Sequence, residues 1–174
     1  MKKALLILAV LFSSVSMSAQ VYEQGAILAN AGVGLGFTYG IGNTAIPPIA
    51  LSADYGVTDN IAIGGYLGYA AAKEEILGYE WKYSYTIIGA RGTYHLDRSD
   101  DLDLYGGALL GYVIGKVTLE SDQELGPLFV EPTVGGVGYS FFVGGRYMFS
   151  EKVGAFGELG YGISLLTLGL TAKF

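Results

Sequence analysis

Over its last ten residues the chain alternates without a break. Leu166, Leu168, Leu170, Ala172 and Phe174 fall on one face, and Leu165, Thr167, Gly169, Thr171 and Lys173 on the other. A repeat of two is the side-chain period of an extended strand, and this split gives one face that is apolar throughout and one that tolerates a charge. Seven earlier segments read the same way. Val153 to Ile163 turns Val153, Ala155, Gly157, Leu159, Tyr161 and Ile163 outward and hides Glu158. Tyr139 to Phe149 shows aromatic and branched residues outside and encloses Phe142 and Arg146. The segment around Leu104 to Ile114 encloses Asp103 and Tyr105, and Trp81 to Leu96 is more polar and encloses Arg91. Ile61 to Ala71, Ile49 to Val57 with Ser52 and Asp54 inside, and Ala26 to Phe37 with Asn30, Gly32, Gly34 and Gly36 inside complete the set.

Hydrophobic residues make up 51% of the chain, yet after the first dozen residues no apolar run approaches the roughly 20 residues that a membrane-spanning helix needs. Glycine (28) and tyrosine (14) are abundant, the first a poor helix residue and the second a good strand residue. In lipid only helices and closed barrels satisfy every backbone polar group, so strands with an apolar outer face must close on themselves. The expectation is an all-β chain forming an eight-stranded antiparallel up-and-down transmembrane β-barrel. An eight-stranded interior is just wide enough for side chains, so no open pore is expected.

Connections alternate in length. Thr58 to Asn60, Asp97 to Asp101 and Ser150 to Lys152 are short, while Thr38 to Pro48, Lys73 to Glu80 and Thr118 to Gly135 are read as longer loops. That asymmetry puts the short turns and both chain ends on the periplasmic side. Outward aromatics gather toward both strand ends, with Tyr55, Tyr94, Tyr147, Phe149 and Phe174 near the short turns and Phe37, Tyr69, Tyr112, Tyr139 and Tyr161 toward the loops. Two such girdles mark the headgroup levels of a bilayer.

The first residues have a different plan. Met1-Lys2-Lys3, the apolar run Ala4 to Phe12, and small residues through Ser18 and Ala19 follow the order of a secretory signal peptide. Residues 1–19 are therefore expected to be removed, with Ser18 as the alternative cut, leaving a barrel domain over 20–174. Loss of Lys2 and Lys3 leaves eight Lys and Arg against 16 Asp and Glu, a net of −8. An acidic chain is unsuited to nucleic acid. The absence of cysteine excludes disulfides, thiolate metal sites and a lipid-anchored N-terminus.

The signal-like start, the eight alternating segments, the stretch Gly144-Gly145-Arg146-Tyr147 through Ser150-Glu151-Lys152 to Gly160-Tyr161, and the ending Leu168-Gly169-Leu170-Thr171-Ala172-Lys173-Phe174 resemble small outer-membrane barrels of the OmpX and OmpA-barrel type. The resemblance implies a monomer held in outer-membrane lipid and lipopolysaccharide. It also implies that Phe174, a terminal aromatic on an amphipathic last strand, is the signal read by the outer-membrane insertion machinery. The peptidoglycan-binding domain of longer relatives has no counterpart in the sequence, and that role does not transfer.

Among residues with chemistry, Asp54, Arg91, Asp103, Arg146, Glu158 and Lys173 all point inward, three cations that could meet three anions. A charge survives burial only when paired, so these six are expected to form a structural lumen network, with a proton or ion path as the functional alternative. His95, the one histidine, is expected inward near a short turn. Histidine is the usual general base, which keeps a lipid A-modifying enzyme open as an alternative, although barrels with that activity carry their histidine at the outer end. Asp97, Asp100, Asp101 and Asp103 lack the glycine and terminal glutamate of a calcium loop. Glu120, Asp122 and Glu124 are candidates for bridging lipopolysaccharide phosphates through divalent ions. Gly32, Gly34 and Gly36 imitate a nucleotide loop, but no helix follows. A small-ligand barrel of lipocalin type would reverse the inside and outside seen here. No cofactor, metal or catalysis is expected, and the role is read as structural or interactive at the cell surface.

Overall fold

Eight strands form where the alternation runs: β1 (Ile27–Phe37), β2 (Asn43–Gly56), β3 (Ile61–Ile76), β4 (Tyr79–Arg98), β5 (Leu102–Glu120), β6 (Thr133–Met148), β7 (Val153–Tyr161) and β8 (Ser164–Lys173). The computed structural model describes residues 21–38, 43–76, 79–98, 101–120 and 133–174. The expected signal peptide, and Asp122 and Glu124, lie outside them. Each strand pairs antiparallel with the next, and β8 returns to β1 from Leu28↔Lys173 to Phe37↔Ser164, so the sheet is a closed up-and-down barrel. Closure removes the unpaired edge that an open sheet presents.

The barrel is inside out relative to a water-soluble one. Leu51, Ile63, Leu67, Ile88, Leu110, Tyr139, Phe141, Val143, Leu159 and Leu170 are exposed on the outer wall, while Asp54, Arg91, Asp103, Arg146 and Glu158 are buried within. Inward rings are accommodated by glycines on the neighbouring strand. Phe142 pairs with Gly107, Tyr105 with Gly144, and Phe156 with Gly169. A Cβ added at Gly107 would come 2.5 Å from the Phe142 ring, and one at Gly144 would come 2.6 Å from the Tyr105 ring. The glycines thus open the lumen for aromatic filling, the spacing effect that closed barrels of this size need.

Three expectations are corrected by how the chain turns. Ile163, expected outward, packs inside with Ala70, Ile87 and Leu109, because β7 stops at Tyr161 and its phase is not carried through the turn. Leu165, expected inward, is exposed. Ser164 and Thr167 both face the lumen with their hydroxyls 2.8 Å apart, so two successive leucines lie on the outer side between them. Opposite this slip stands Gly36, expected to be enclosed but exposed at φ +71°, a left-handed backbone that glycine adopts without steric cost.

Where they are described, the long connections are also strand for most of their residues. β2 begins at Asn43, and its register with β3 shifts on either side of Ile46, around Pro47 and Pro48, where a missing N–H is tolerated at an irregularity in the ladder. β3 and β4 continue to Ile76↔Tyr79, and β5 runs to Glu120. β4 and β5 have 20 and 19 residues against 9 and 10 in β7 and β8. At about 3.4 Å per residue, one side of the barrel stands roughly 30 Å of strand taller than the other. The polarity of the wall inverts on this projection. Lys73, Glu75, Glu80, Lys82 and Lys116 occupy the outer face, with Lys73 and Glu80 joined at 2.5 Å, and Trp81, Tyr83 and Tyr85 occupy the inner face. Alternation of that reversed kind carries charges at the positions where the rest of the wall carries leucine, which is why the sequence reads as loop there.

Candidate functional site

β2, β4, β5, β6 and β7 bring five of the six expected lumen residues into one buried network. Arg91 Nη2 donates to Glu158 Oε1 at 2.7 Å, and Arg91 Nη1 donates to Ser52 Oγ at 3.3 Å. Arg91 Nε stands 3.2 Å from Asp54 Oδ1, at ion-pair distance but out of hydrogen-bond alignment. This is the first limb, two carboxylates on one guanidinium. In the second, Arg146 Nη1 donates to Asp103 Oδ2 at 2.7 Å. Asn30 joins the limbs: its amide oxygen accepts from Arg146 Nη2 at 3.3 Å and its Nδ2 donates to Ser52 at 2.9 Å and Asp54 at 3.4 Å. Aromatic rings cover both guanidiniums, with Phe142 4.4 Å from Arg91 and Tyr105 4.9 Å from Arg146. The Tyr105 hydroxyl donates to Glu158 at 2.9 Å.

Lys173 stands apart from this network. Its Nζ meets Glu23 Oε1 at 2.9 Å, on the segment that precedes β1. The pairing of three inner cations with three inner anions is therefore replaced by two guanidiniums on three carboxylates, with the lysine turned to the mouth. Phe174 is exposed on the outer wall, and its backbone exchanges hydrogen bonds of 3.1 and 2.9 Å with Ile27.

His95 is buried at the short-turn end. Its Nδ1 lies 2.7 Å from Asp103 Oδ1 and its Nε2 lies 3.1 Å from Thr93 Oγ1, so both ring nitrogens are engaged. Tyr22 stacks on the ring with centroids 3.6 Å apart and planes 7° from parallel. The segment 21–26 that carries Tyr22 folds across the mouth. The Tyr22 hydroxyl donates to Thr58 O at 2.7 Å, Gln24 Nε2 donates to Val57 O at 3.0 Å, and the Gly25 and Gly56 amides bond across to Gly56 O and Ala26 O, each at 2.9 Å. Sequence reasoning missed this plug, because a short coil carries no period. The one available signal was an aromatic residue just ahead of the first strand.

Chemically the site is a packed ionic network in which two guanidiniums face three carboxylates. Its members hold each other, and at the short-turn end Tyr22 covers the histidine. Among the described residues no group of three or more His, Asp or Glu side chains has the arrangement to hold a metal ion.

Neither a protein-family model nor a curated protein matches the chain. Solved structures do match it in fold. The N-terminal β-barrel domain of OprF from Pseudomonas aeruginosa superposes with a TM-score of 0.56 at 17% identity, covering 88% of this chain and 100% of that one. Ail, the attachment invasion locus protein of Yersinia pestis, solved with the heparin analogue sucrose octasulfate, gives 0.53 at 16% identity over 86% and 95%. The resemblance to small outer-membrane barrels of the OmpA and OmpX type holds at the level of the fold.

Proposed function

We propose that this chain is exported, loses residues 1–19, and spans the outer membrane as a monomeric, sealed barrel whose projecting sheet carries an interaction at the cell surface. The observation that carries the reading is the polarity of the wall: an apolar band around a buried ionic interior, then an inversion where β3, β4 and β5 continue outward. Such a wall is stable only with lipid against the band and water around the projection. A membrane interior filled by Arg91, Arg146 and their partners leaves the anchor no conducting role. Lipopolysaccharide is the expected neighbour of the outer half, and Phe174 the expected contact for the insertion machinery. The polysulfated ligand seen with Ail is not carried over, because lysines and glutamates interleave on the projection of this chain. Its partner is expected to be a surface of mixed charge.

Expression in a Gram-negative host tests this. The folded protein is expected in the outer-membrane fraction, with gel mobility that changes on boiling. Protease added to intact cells is expected to cut only at the long-connection end. Removal of Phe174 is expected to lower the folded fraction. Recovery of the chain as a soluble periplasmic protein would sink the reading.

A further inference from the structure

Above the ionic network the lumen changes character. Ile87, Leu109, Val113, Phe142 and Ile163 wall a cavity of about 40 Å³ whose inner end is formed by Arg91 and Glu158. The more accessible of these two is the carboxylate, with the Glu158 side chain 11% exposed against 2% for Arg91. Arg146 and Asp103 neutralise each other, and His95 belongs to their limb. The limb facing the cavity sets two carboxylates, Asp54 and Glu158, around the single guanidinium of Arg91. A buried charge without a full complement is costly, and a cation brought within reach of Glu158 relieves it.

We propose that this cavity is a binding site for a small primary ammonium on a short alkyl tail, the charged head on Glu158 and the tail against Leu109, Val113 and Ile163. Its size sets the class. One water needs on the order of 10–15 Å³ of such space, and a cavity of about 150 Å³ holds benzene. A slender aliphatic amine fits between these limits. A carboxylate of the same length is repelled by the limb, and an alcohol brings no compensating charge.

The test uses the full mature chain refolded in zwitterionic phospholipid nanodiscs, with labelled Ile, Leu and Val methyl groups. Ethylammonium, acetate and ethanol are titrated separately. Saturable shifts at the Leu109, Val113 and Ile163 methyls are expected with ethylammonium and not with the other two. Glu158→Gln is expected to weaken the response roughly tenfold or more, since a hydrogen bond to a charged group is removed. Because that variant alters a buried network, Val113→Phe serves as a second probe: it fills the cavity from the apolar side and is expected to abolish the shifts. No saturation with ethylammonium, equal responses to acetate or ethanol, or shifts that persist in Val113→Phe would each overturn the proposal.

Discussion

Arg146 shows how closely single residues depend on one another in this lumen. Its guanidinium is shared between Asp103 and Asn30, and Asp103 spends its second oxygen on His95. Arg146→Met leaves Asp103 buried with only the histidine, and a loss of about 3–5 kcal/mol is expected in urea unfolding from a bilayer, read by gel mobility. Replacing both partners, as Arg146→Met with Asp103→Leu, removes the stranded charge and is expected to recover part of that loss. Glycines divide in a similar way. Gly144→Val drives a side chain into the Tyr105 ring and disturbs its bond to Glu158, with an expected cost of about 1–3 kcal/mol. Gly65 faces outward with nothing within 4 Å of an added Cβ, so Gly65→Ala is expected to be near neutral in the same assay. The alternation in the sequence separates the two, Gly65 outward and Gly144 inward, but not the inward glycine that meets a ring from one that does not, because that depends on what the neighbouring strand presents.

At the scale of elements, the segment 21–26 does what no strand does: it shuts the short-turn mouth with an aromatic stack. Because His95 is the only histidine, its reaction with diethylpyrocarbonate reports directly on this closure. Tyr22→Ala is expected to raise the rate about tenfold, the factor corresponding to a lost aromatic stack of up to about 1.5 kcal/mol. An unchanged rate would mean that the strands alone bury the ring. The plug was illegible in the sequence because its contacts are long-range and its backbone irregular, and so the Lys173–Glu23 pair was illegible too. The strands were legible wherever an apolar outer face alternates with the lumen, as from Leu104 to Ile114. Legibility failed at the two kinds of place where that constraint lapses. At Gly162 and Gly36 the chain turns or slips phase, which reverses the reading of Ile163 and Leu165. Beyond Ala70 and Thr86 the outer face carries charges in place of apolar side chains, and charged strands resemble loops.

The molecule as a whole is an apolar-walled cylinder continued on one side by a sheet with a charged outer face, and on the proposed function the two parts should answer differently to the same substitution. Leu110 is 64% exposed on the apolar band, between Ala90 on β4 and Tyr139 on β6. Ser84 lies on the outer face of β4 six residues nearer the projecting end than Ala90, opposite Lys116. Both positions point away from the barrel axis, and neither touches the lumen network. An arginine near the bilayer midplane costs roughly 2–4 kcal/mol, and one near or beyond the interface about 0–1 kcal/mol. Leu110→Arg is therefore expected to lower the unfolding free energy in phospholipid bilayers by the larger amount, and Ser84→Arg to leave it almost unchanged. In short-chain detergent, where no thick hydrocarbon slab exists, the gap between the two variants should shrink. Equal costs in the bilayer would mean that the projection is embedded along with the rest or that the band is not in lipid at all, and either result removes the physical basis for reading the upper sheet as a surface offered to partners.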